Sequence, residues 1–89
     1  MRIKEGFVLR TICGEHIVVG EGLAMVNFNK MLVLNESAAW LWEQVAGRDF
    51  TAQEMADLLT GKYDVTGQKA MEDVEKMVET WKEQGVVEE

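Results

Sequence analysis

Two periodicities divide the chain. Up to about residue 34 the apolar residues fall in short β-branched runs, and from Asn35 onward they recur at helical spacing. Residues 7–12 (FVLRTI) and 16–19 (HIVV) read as antiparallel strands, and Cys13-Gly14-Glu15 between them has the length of a hairpin loop. Gly20-Glu21-Gly22 interrupts this pattern. Residues 24–28 and 31–34 then flank Asn29-Lys30, where asparagine tolerates positive φ, and predict a second hairpin.

The stretch NFNKMLVLNESAAWLWEQV, residues 27–45, passes from strand period to helix period without a proline, a glycine or a polar linker. Asn35 suits an N-cap because its side-chain oxygen can accept from a first-turn amide, Glu36 places negative charge at the positive helix end, and Gly47 supplies a stop. At about 100° per residue Ala38, Leu41, Trp42, Val45 and Ala46 share one broad face, while Trp40 falls on the far side. Thr51-Ala52-Gln53-Glu54 has capping-box spacing and announces a second helix with Met55, Leu58, Leu59 and Tyr63 inward. Thr66 suits the N-cap of a third helix that ends at Gly85. On it Ala70, Met71, Val74, Met77, Val78 and Trp81 span an arc of about 120°. Val86 and Val87 can then fold back onto the body. The pattern predicts one winged-helix-like α+β domain over residues 1–89: a small antiparallel β-sheet of three or four strands followed by three α-helices.

Composition narrows the function. With 89 residues, 47% hydrophobic and 28% charged, the chain has the balance of a folded domain and little spare mass for an enzyme pocket. Sixteen acids against nine bases give a formal charge of −7, and residues 71–89 hold seven acids and two bases, a net of −5. Nucleic acid is repelled by that end. A winged-helix DNA-binding regulator is the alternative that the fold class allows, but the bases do not gather around either candidate recognition helix. The single Cys13 cannot form an internal disulfide, and neither a signal segment nor a bilayer-spanning run is present, so the cytoplasm is the expected location.

The search for chemistry returns little. Cys13 and His16 have C-x-x-H spacing, yet there is no second Cys or His, and zinc needs at least three protein ligands. A Cys-His nucleophile lacks an orienting third group, and no glycine-rich phosphate loop opens a helix. Neither a catalytic residue nor a metal or other cofactor is expected. Peptide binding remains, and it has a mechanism: an edge strand at residues 31–34 offers unpaired backbone to an extended partner. Met71, Val74, Met77, Val78 and Trp81 on the last helix would line the adjoining groove, although residues at this spacing also read as core. Trp40 suits either a half-buried position or a contact with a larger protein or a second copy, which leaves a homodimer open.

The run FNKMLVLNESAAWLWE at residues 28–43, followed by TAQEMADLL, YDV and a final helix ending EQGVVE, resembles the PqqD-like family. The resemblance extends from about Gly6 to Glu88 and is most specific at LNESAAWLW, residues 34–42. It implies a non-enzymatic peptide chaperone, a recognition element for ribosomally synthesised precursor peptides. Such modules bind the leader segment as an added strand and present it to a modifying enzyme, often a radical S-adenosylmethionine enzyme that carries its own iron–sulfur cluster. The implied contacts are Met31, Leu32, Val33 and Leu34 on the strand side, with Met71, Val74, Met77, Val78 and Trp81 on the helix side. Founding members serve pyrroloquinoline quinone biosynthesis, and nothing in these residues ties the chain to that precursor over another peptide. The acidic last helix suits a partner with basic residues.

Overall fold

The computed structural model describes residues 1–20 and 32–88. In chain order the elements are β1 (Arg2–Ile3), β2 (Phe7–Ile12), β3 (Glu15–Gly20), β4 (Leu32–Leu34), α1 (Glu36–Val45), α2 (Ala52–Lys62), α3 (Gly67–Glu83) and β5 (Val87–Glu88). The expected strand at 24–28, the turn at Asn29-Lys30 and Met31 lie outside the described residues. Among the described residues the architecture is α+β, with three helices and two small antiparallel sheets.

The larger sheet has the order β2-β3-β4. Its first hairpin is tighter than the sequence suggests: Ile12 pairs with Glu15, so the loop is Cys13-Gly14 alone. Both residues have positive φ, 53° and 80°, the hand that a two-residue hairpin turn needs. Register then decides the faces. Leu9, Val18 and Leu32 lie side by side across the strands, and Val18 is buried to 1% exposure in the core. Val33, one residue on, points the other way and is 59% exposed, as the two-residue period of a strand requires.

The smaller sheet joins the two ends of the described chain, with Ile3 opposite Val87 and Arg2 opposite Glu88. It exists because α3 ends in a Schellman motif: Gly85, at φ 74°, donates to the Lys82 carbonyl, and Val86 donates to the Trp81 carbonyl. That reversal sends Val86 and Val87 back into the core, as their apolar character suggested, and Lys4 donates to the Val86 carbonyl at 2.9 Å. Neither β1 nor β5 is predicted as a strand by the apolar pattern.

The helical caps fall where the sequence placed them. Asn35 accepts from the Ala38 amide at 2.9 Å, Thr51 from Glu54 at 3.1 Å and Thr66 from Lys69 at 3.1 Å. Between the helices lie Leu41 and Val45 of α1, Met55 of α2, and Ala70 and Val74 of α3, all without solvent exposure. Burying each of the larger ones contributes roughly 1.5–3 kcal/mol. Trp40 is half-buried against the end of α2. Its ring meets Tyr63 edge to face at 6.1 Å, and the Lys62 ammonium sits 5.1 Å from its centroid.

Candidate functional site

β4 is three residues long and pairs with β3 along one side; among the described residues nothing pairs with its other edge. The edge is held at a fixed angle because the strand runs into α1 with one residue between. That residue, Asn35, has extended backbone (φ −76°, ψ 178°) and caps the helix while taking a second hydrogen bond from the Ser37 hydroxyl at 3.1 Å. A rigid strand end therefore needs no linker.

Beside the edge runs a shallow groove of about 260 Å³. Leu32, Val33 and Leu34 form one wall, and Lys76, Met77, Thr80 and Trp81 of α3 form the other. Asn35 and Ala38 close the end where α1 begins. The space falls below the roughly 300–1,000 Å³ of a small-molecule pocket, so it suits side chains of a strand lying on the edge better than an enclosed ligand. Methionine makes its floor adaptable.

Five of the nine expected contact residues meet here: Leu32, Val33, Leu34, Met77 and Trp81. Met31 lies outside the described residues. Val74 has no exposure and Val78 only 7%, so both belong to the core beneath α3, and Met71 is half-buried against that core away from the groove. Trp81 is 1% exposed and serves as floor more than as contact surface. Sequence reasoning missed Lys76, Thr80, Asn35 and Ala38. The first two are polar residues flanking Met77 on the helix, and the apolar arc could not signal them.

The acidic surplus of α3 stays off the groove, whose charged wall residue is Lys76, while Glu72, Glu75 and Glu79 are exposed. Cys13 is an exposed hairpin-turn residue, and His16 accepts or donates across the hairpin to Thr11 at 3.1 Å. Among the described residues no three His, Cys, Asp or Glu side chains could hold a metal ion, and no helix is long and apolar enough to cross a membrane.

The sequence model for PqqD, coenzyme PQQ synthesis protein D, matches residues 15–87. The chain belongs to the PqqD family. The solved structure of TbiB1 in complex with the TbiA(beta) leader peptide has a TM-score of 0.74 with this chain, at 15% identity, over 99% of this chain and 95% of that one. The two chains therefore share a fold over almost their full lengths. No curated protein matches the chain.

Proposed function

We propose that the protein is a non-catalytic module that binds the leader segment of a ribosomally synthesised precursor peptide. The peptide adds as a strand to the outer edge of β4 and packs its side chains against α3. The observation that carries this reading is the edge of β4 that no described residue pairs with, beside a groove lined by Met77 and Trp81. Membership of the PqqD family supports it, as does the likeness to TbiB1, a protein seen with a leader peptide. The contact set on the strand side is Met31, Leu32, Val33 and Leu34. On the helix side Met77 forms the contact surface and Trp81 the floor, Val74 and Val78 support them from the core beneath, and Met71, half-buried outside the groove, joins the set only where a peptide extends past it.

The bound leader is presented to a peptide-modifying enzyme, with radical S-adenosylmethionine enzymes the first class to test, in the cytoplasm where the exposed Cys13 thiol stays reduced. A second copy pairing through the same edge would form a homodimer in competition with the peptide. Titration of the ¹⁵N-labelled protein with leader peptides encoded beside its gene tests the reading. Binding is expected to shift the amides of residues 31–34 together with those of Lys76, Met77 and Thr80, and Met77→Arg is expected to weaken binding at least about tenfold by filling the groove. Saturating peptide that leaves those amides unmoved sinks the proposal.

A further inference from the structure

The described edge of β4, three residues, is too short to hold a peptide by backbone alone. A backbone hydrogen bond contributes only a small net free energy after its exchange with water, and the three described residues of edge fall well short of micromolar affinity. The peptide must gain contacts beyond the strand. A second, larger depression of about 670 Å³ lies where β4 stops. It shares Asn35 and Met77 with the groove, so the two are continuous. Its floor is apolar, made by Leu59, Tyr63, Val65 and Met77, and its charged lining residues are two carboxylates, Glu36 and Asp73.

We infer that this depression is a subsite for a long basic side chain, arginine or lysine, of the same peptide that adds to β4. The inference rests on the peptide-binding reading above. An acidic side chain is repelled by Glu36 and Asp73, and a purely apolar one would strip water from both carboxylates while offering neither of them a hydrogen-bond donor. Arginine and lysine meet both demands: the aliphatic stem lies on the apolar floor and the charged head reaches the rim. Geometry also sets the spacing. Along α3 the groove is marked by Thr80 and the subsite by Asp73, a rise of about 10 Å, which an extended peptide covers in about three residues.

The preference is modest, for physical reasons present in the site. The start of α1 puts partial positive charge beside Glu36, and Asp73 already pairs with Lys69 at 3.2 Å. A basic residue at the right offset is expected to tighten binding about two- to fivefold at low salt, an advantage that fades toward molar salt.

Selection of a displayed random dodecapeptide library on the full chain tests this. Enriched peptides are expected to alternate apolar residues and to carry Arg or Lys about three residues to one side. The same selection on the Glu36→Gln, Asp73→Asn double variant, its fold checked by ¹⁵N-HSQC, should keep the apolar pattern and lose the basic preference. An apolar pattern with no basic residue at fixed offset, or a basic preference that the double variant retains, overturns the subsite and leaves the groove standing. Peptides that bind Met77→Arg as well as the parent, or no enrichment at all, overturn the groove reading and the subsite with it.

Discussion

The indole rings of Trp42 and Trp81 meet edge to face, with centroids 5.2 Å apart and planes at 72°. One belongs to the helix that follows β4, the other to the helix that walls the groove. Their contact fixes the distance between strand edge and α3, and such a pair contributes about 0.5–1.5 kcal/mol beyond the area it buries.

Removing that contact should be felt in stability first. Trp42 is 3% exposed, so Trp42→Ala leaves a large cavity and is expected to cost about 3–5 kcal/mol. Urea unfolding followed by circular dichroism measures it. A cost under about 1 kcal/mol would mean that α1 and α3 are not coupled through these rings.

How much of this was legible in the sequence depended on whether a signal was local. Asn35, Thr51 and Thr66 each cap a helix through an atom three residues away, and a local rule found all three. β1 and β5 are two residues each, too short for any period, and exist through pairings between the far ends of the chain. The last helix shows the same divide inside one element. Its apolar arc told that Val74, Met77, Val78 and Trp81 face inward, but not where the sheet stops covering them. That boundary runs between Val78, in the core, and Met77, in the groove. Trp40 is anomalous in the helical pattern because its partners, Lys62 and Tyr63, lie at the C-terminal end of the next helix.

The hairpin turn carries a removable strain. Cys13 holds φ at 53°, a left-handed conformation that most side chains disfavour and asparagine tolerates. Cys13→Asn converts the turn to the favoured Asn-Gly pair and is expected to stabilise the protein by about 0.5–1 kcal/mol. Thermal unfolding reads it as a rise in Tm. A fall would show that the thiol makes a contact worth more than the turn.

A pH effect is expected at the start of α2. The hydrogen bond from Arg48, 3.1 Å from the Glu54 carboxylate, holds that carboxyl below its usual range, with the Thr51 hydroxyl and amide assisting. Because the folded pKa is the lower one, this stabilisation is present above the unfolded carboxylate pKa and is lost as pH falls through the folded value. Both side chains are about half exposed, 46% and 48%, so solvent screens most of the effect. Parent and Arg48→Met proteins should differ slightly in Tm at pH 7 and converge in acid and in high salt. A difference that persists at pH 2 would assign it to the arginine stem.

The junction between β4 and α1 should be the most sensitive polar position near the groove. Asn35 Oδ1 takes both the Ala38 amide and the Ser37 hydroxyl, so alanine there strands a first-turn donor at the point where strand becomes helix. Asn35→Ala is expected to cost about 1 kcal/mol and to speed hydrogen exchange at the Ala38 amide, whereas Asn35→Asp keeps the acceptor, adds charge favoured by the helix end and should stay within about 0.5 kcal/mol of the parent. The two variants separate capping from occupancy of the groove end, because both residues are smaller than or equal in size to asparagine. If alanine and aspartate prove equally stable and equally protected, the strand edge is held by the Trp42–Trp81 contact alone, and the cap is incidental to the site.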